Sequence, residues 1–182
     1  CRDWSSDVCS SDLYLTLFIF WEGMAFSSVF LIWYRKGNKA IAAGFRYLLF
    51  HVFGGLLFLA GMMLYYHKTG SLAFNSILPA NASWPEYLIL AGFALNAAVL
   101  PLHAWLPDAY PEATVEGAVF LCAFTTKTAV YVLARGFTGF EILAIMGTAM
   151  TVFGVCYAVI ENDIRRVLAY HIISQVGYMV AG

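Results

Sequence analysis

Two charged side chains stand where charge is expensive. Glu22 lies in LFIFWEGMAFSS and Lys127 in FLCAFTTKTAVYVL, each deep inside an apolar run. A charge at the centre of a membrane-spanning helix costs about 2.5 to 3.5 kcal/mol on insertion scales, so it persists only with a partner, with water or with a task. A carboxylate and an amine can pair across two helices and pin them. They can also take up and release protons on an ion pathway. The residue types allow both readings.

A third run, NAAVLPLHAWLPDAYPEA, carries the next signal. Pro101 and Pro107 each lack a backbone donor and are expected to break regular helix. The expected interruption is at Leu100-Pro101. A broken span is tolerated in a bilayer only where protein or water satisfies the freed carbonyls, and transporters use such breaks to place polar backbone at mid-membrane. Asn96 and His103 flank this break. His103 is either a buried, satisfied histidine or a proton-exchange group, since imidazole changes charge near neutral pH. His51 and His171 lie in other apolar runs and are read as packing or interfacial residues, and His67 as solvated. Glu112 and Glu116 are expected at the start of a helix, where its dipole favours anions, and Glu141 at the start of the next.

Metal and nucleic-acid chemistry are not indicated. Cys122 and Cys156 are isolated inside apolar runs and read as small buried apolar residues, while Cys1 and Cys9 belong to a polar leader. No cofactor motif is present, and no nucleophile–base constellation argues for an enzyme. The net charge of −1 gives no electrostatic reason for a nucleic-acid partner.

The elements that must position these residues are membrane helices. The chain is 62% hydrophobic and 12% charged, with a mean hydropathy of +0.75, which leaves too little polar surface for a soluble domain of 182 residues. Apolar segments are expected over 14–34, 47–66, 86–108, 114–135 and 140–160, with another beginning near 164. Each complete one has roughly the twenty residues that a bilayer core requires. Arg35, Lys36, Lys39 and Arg46 fall in the first connection, and Arg165 and Arg166 in the last, so these share one side by parity. Lys68 and Arg135 fall on the other. The positive-inside rule makes the basic side cytoplasmic and turns the 67–85 loop outward. Residues 1–13 stand apart: Asp3 to Leu13 reads as the translation of a common sequencing-adapter oligonucleotide. The expectation is that they pack against nothing and that 14–182 is a partial transmembrane domain, cut at both ends.

PLHAWLPDAYPEA, then TKTAVYVLAR, then ENDIRRVLAYHIISQVGYMVAG, in that order, resemble the antiporter-like membrane subunits. That family includes the large subunits of Mrp-type cation/proton antiporters and the proton-pumping membrane subunits of respiratory complex I and membrane-bound hydrogenases. The likeness covers nearly everything after Leu13, and an Mrp D-type subunit is the favoured member. It implies an all-α bundle of about fourteen spans built from inverted repeats with broken helices. This chain would supply the fifth to ninth spans and start the tenth. It further implies an ion path through a fifth-span glutamate, matching Glu22, and an eighth-span lysine, matching Lys127. The family's seventh-span lysine falls on Asn96, which can bond Glu22 but cannot hold a charge, and the family's APTP element reads ATVE at 113–116. The implied partners are other antiporter or respiratory membrane subunits, lipid, protons and Na+ or K+, with no cofactor in this chain, in a bacterial inner membrane. Two functions follow: a proton-conducting or cation:proton antiporter subunit, and a scaffold subunit that has lost transport, favoured by Asn96.

Overall fold

The computed structural model describes residues 13–182. The regular elements are α1 (Tyr14–Trp33), α2 (Asn38–Thr69), a 3-10 turn (Pro79–Asn81), α3 (Trp84–Asn96), α4 (Trp105–Glu112), α5 (Val115–Phe120), a π-helical segment (Leu121–Thr126), α6 (Lys127–Gly136), α7 (Glu141–Ile160) and α8 (Ile164–Ala181). α1, α2, the continuous 115–136 span and α7 are each long and apolar enough to cross a membrane. Their outer faces are apolar too: Val159 is 81% exposed, Ile145 69% and Leu49 68%. Rows of exposed β-branched and leucine side chains on helices of this length face lipid, not water. The chain is an all-α, multi-pass membrane protein.

α2 is longer than its expected 47–66 segment. Its 32 residues extend about 48 Å, against a hydrocarbon core of about 30 Å, so both ends project into polar surroundings. Lys39 and Arg46 therefore lie on the helix and not in a loop, and Arg46 pairs with Asp108 at 3.1 Å. His67 lies in its last turn, exposed. α2 is the central packing post, with α1 and α3 laid against one buried face that runs through Tyr47, His51, Gly54, Gly55 and Phe58. α7 and α8 form a tight antiparallel pair. A Cβ on Gly147 would lie 2.7 Å from the Ala181 nitrogen, so only glycine lets the two backbones meet, as membrane helices do where dispersion must replace the hydrophobic effect.

The expected break lies where the prolines placed its centre. α3 ends at Asn96, and the Leu100–Pro101 peptide is cis. Ala98 takes the left-handed conformation (φ 57°), the Ala98 N–H reaches the Leu95 carbonyl at 3.1 Å, and the Val99 N–H reaches Ala94 at 2.9 Å. This is a Schellman closure with alanine where glycine is usual, and it satisfies the Ala94 and Leu95 carbonyls where the helix ends. Pro107 does not break anything. It is the third residue of α4, in the first turn, where a backbone N–H has no intrahelical acceptor to lose.

Further positions differ from the sequence reading. Glu112 closes α4 and only Glu116 enters the first turn of α5, because Thr114 is the cap: its hydroxyl accepts from the Gly117 N–H at 3.0 Å. Cys156 is exposed on the outer face of α7 and Cys122 is half-buried. Leu13, the last residue of the expected foreign leader, forms an isolated antiparallel bridge with Ala73, and the adjacent Tyr14 N–H donates to the Leu72 carbonyl at 2.9 Å. Leu13 therefore packs with the rest of the chain, and residues 1–12, where the remainder of that expectation falls, are outside the described part.

Candidate ion-translocation site

Glu22 is carried by α1 against the buried face of α2. A Cβ on Gly55 would fall 1.8 Å from its Oε1, so the carboxyl occupies the space that a side chain at 55 would take. Asn96, at the last turn of α3, meets the adjacent Gly54, where a Cβ would lie 3.3 Å from the amide oxygen. Residues 54 and 55 point about 100° apart around the helix, so the two polar groups reach α2 from different sides. Their expected hydrogen bond is not made. Glu22 Oε1 and both polar atoms of the Asn96 amide are buried without a hydrogen-bond partner among the described residues. Such groups are costly unless water or an ion serves them, and both side chains lie against the glycine pair of α2.

One turn along α2, His51 extends this polar region. It is fully buried, and its Nε2 has no partner among the described residues. Its ring lies 4.1 Å from that of Tyr47 and 4.8 Å from that of Trp105. The Tyr47 hydroxyl is 2.6 Å from Ser28 Oγ on α1. Trp105 Nε1 donates to the Leu95 carbonyl at 3.0 Å, tying the second half of the broken helix back to the first. The Tyr110 ring lies 6.2 Å from that of Trp105. The sequence reading set His51 aside as packing. The signal available was its period: Tyr47, His51, Gly54, Gly55 and Phe58 repeat at three and four residues on one helix face.

Lys127 stands elsewhere. It lines a cavity of about 410 Å³ between the 115–136 span and α8, together with Tyr110, Cys122, Arg165, His171 and Gln175. That lining includes neither Glu22 nor Asn96; Tyr110, which is on it, has its ring 6.2 Å from that of Trp105, and Trp105 in turn lies against His51. The π segment explains how Lys127 enters the cavity. Val115, Ala118, Val119 and Cys122 face it at ordinary helical spacing, which would bring Thr126 next. The wider turn over Leu121–Thr126 inserts one residue, so Lys127 takes that place instead, and its Nζ reaches Cys122 Sγ at 3.7 Å. The loosened carbonyls are served by hydroxyls: Thr126 donates to Cys122 at 3.1 Å, and Thr128 to Phe124.

His103 is placed apart from both groups. It is half-buried in the break, with its ring 4.6 Å from Phe153 of α7 and its Nδ1 buried without a partner among the described residues.

At the basic end of the bundle, three connections meet. Arg165 donates to the Pro111 and Ala113 carbonyls at 3.0 and 3.2 Å, and Arg35 donates to Pro111 as well while pairing with Glu112 at 3.6 Å. Two guanidinium groups therefore hold the terminal carbonyls of α4, where the helix dipole favours cations. At the other end, Lys68 pairs with the buried Glu86 at 3.1 Å, and the Ile77 N–H donates to the Gly136 carbonyl at 2.7 Å.

Comparison with known proteins accounts for this arrangement. Residues 10–182 match the family model described as "NADH:quinone oxidoreductase/Mrp antiporter, TM". The chain is 33% identical to the D-type Na(+)/H(+) antiporter subunit of Alkalihalophilus pseudofirmus over 95% of its own length and 38% of that protein. It is 32% identical to the M-type NADH-quinone oxidoreductase subunit of Escherichia coli K12, over 93% of this chain and 38% of the relative. Among solved structures, a chain of the Mrp complex from Dietzia sp. superposes with a TM-score of 0.88 at 25% identity, covering 98% of this chain and 36% of that one. A chain of an archaeal membrane-bound sulfane sulfur reductase does so with a TM-score of 0.87 at 30% identity, covering 98% and 40%. This chain thus spans less than half the length of the proteins it matches. By the extent of the family match and the shared fold, it belongs to the NADH:quinone oxidoreductase/Mrp antiporter transmembrane family.

Proposed function

We propose that the chain forms part of a subunit that conducts protons, or exchanges them for Na+ or K+, within a multi-subunit membrane complex of a bacterial inner membrane. The observation that carries this reading is Lys127, an amine turned by a π-helical segment into a cavity at mid-span. A structural ion pair would need a carboxylate against that amine, and among the described residues the lining of its cavity holds none. Glu22 is the second proton-binding group, set with Asn96 at the helix break. His51 and Tyr110 supply further buried polar atoms that have no hydrogen-bond partner among the described residues. Asn96 contributes hydrogen-bonding capacity without charge, so it can orient water or a hydrated ion but cannot store a proton. Relatives that are Mrp and respiratory-complex subunits support membrane partners of the same kind.

Proton flux in vesicles bearing the full-length protein in its complex tests this. Lys127→Ala is expected to abolish cation-dependent flux with the complex intact. Asn96→Lys is expected to place a second charge beside Glu22 and shift the pH dependence of flux. The scaffold reading, favoured by Asn96, predicts instead that Lys127→Ala leaves flux unchanged and dissociates the complex. If flux and assembly both survive Lys127→Ala, this half of the molecule does not transport.

A further inference from the structure

The cavity that holds Lys127 has a second wall with its own chemistry. On α8, Arg165, Leu168, Ile172 and Gln175 follow one another at helical spacing along it, and His171 sits beside Ile172 on the same lining. We infer that His171 exchanges protons with Lys127 across this cavity, loading and unloading the lysine. The inference rests on the transport reading for its purpose, but the pairing is a property of the cavity itself.

The groups facing His171 are few. Lys127 and Cys122 come from the 115–136 span, Tyr110 from α4, and Arg165 from α8 itself, with no carboxylate on the lining. Arg165 is fixed to the Pro111 and Ala113 carbonyls, and a guanidinium keeps its proton at any working pH. It is a constant positive charge at the basic end. Tyrosine is neutral in its ordinary range. Cys122 already accepts from Lys127 Nζ at 3.7 Å, and the amine and the imidazole are the two bases on the lining that carry an extra proton as cations and can pass it on. The step is a plain transfer. The Lys127 ammonium gives one proton to an imidazole nitrogen, leaving a neutral amine and an imidazolium, and the reverse step restores both. A cavity of about 410 Å³ is large enough to hold water, and on its mostly apolar lining Tyr110, Lys127, Arg165, His171 and Gln175 are the polar side chains that could hold it between the two groups. With Arg165 present and no carboxylate among the described residues of the lining, two positive charges there oppose each other.

The sign of the coupling gives a test independent of transport. Like charges lower each other's affinity for protons, so neutralising Lys127 must make His171 easier to protonate. Diethyl pyrocarbonate modification of His171, followed by peptide mass spectrometry on the full-length complex, reads its titration midpoint. Lys127→Gln is expected to raise that midpoint by about one pH unit. In flux measurements His171→Gln is expected to lower the rate roughly tenfold or more with assembly retained. His171→Asn is expected to behave alike, so a folding defect peculiar to one variant is recognisable. An unmoved midpoint in Lys127→Gln overturns the pairing, whether or not the wild type transports. Wild-type flux matched by both His171 variants overturns the relay while the transport reading stands. Absence of flux in the wild type sinks the transport reading alone, and the midpoint still decides the pairing.

Discussion

At the residue scale the informative contact is Glu22 on Gly55. A methyl group at 55 would overlap Oε1 at 1.8 Å, yet the displaced atom is the tip of a flexible side chain. Gly55→Ala should therefore cost little stability while moving the one carboxyl in this pocket. The expected outcome is an assembled complex whose flux is strongly reduced, measured beside a thermal unfolding curve close to wild type. Loss of assembly would instead show that Gly55 serves helix packing first. Glu22, Asn96, His103 and Lys127 stand out as candidates in the sequence, because charge, amide and imidazole are conspicuous in apolar runs. Their distribution over separate places was not legible. It depends on which faces of α2 and α8 are buried, and the step of about 100° between Gly54 and Gly55 becomes meaningful only once α1 and α3 are placed.

At the element scale two irregular turns do the positioning, and the sequence disclosed one of them. Proline announces a break, so the end of α3 was readable. A π turn has no comparable residue signature, because LCAFTT is compatible with ordinary helix, and the one-residue shift that faces Lys127 into its cavity could only be observed. The break itself depends on Ala98, buried and left-handed at φ 57°. A β-branched residue cannot take that conformation without strain, and Ala98 is fully buried, so added methyl groups would have to displace packed neighbours. Ala98→Val should destabilise the protein by roughly 2 kcal/mol or more, read as a lowered unfolding temperature in detergent. An unchanged unfolding temperature would mean that the turn after Asn96 can re-form in another way. The α2 boundary was misread for a different reason. Lys39 and Arg46 resemble loop charges by composition, but a helix may extend past the bilayer and keep its charges at the polar rim.

At the scale of the whole molecule, the contacts fix which connections share an end, and charge decides which end faces the cytoplasm. Arg35 to Glu112, Arg46 to Asp108, and Arg165 to the Pro111 carbonyl bind three connections together at one end. The Lys68–Glu86 pair and the Ile77–Gly136 hydrogen bond define the opposite end. The first end carries Arg35, Lys36, Lys39, Arg46, Arg165 and Arg166, and the second carries Lys68 and Arg135. Asp108 and Glu112 neutralise part of the basic end locally, but acidic residues weigh little in membrane orientation, so six basic residues against two decide it. The basic end is expected in the cytoplasm. That end also holds Arg165, so the cavity of Lys127 and His171 would be entered from the cytoplasmic side. The check is cysteine labelling with an impermeant reagent on intact cells, in a background whose native cysteines are replaced. Asn38→Cys, at the start of α2, should react only after the membrane is opened, and Asn75→Cys, in the opposite connection, should react at once. The reverse pattern would invert the molecule and make the same cavity an outward-facing one. Reaction of both positions in intact cells would contradict the shared-end contacts themselves.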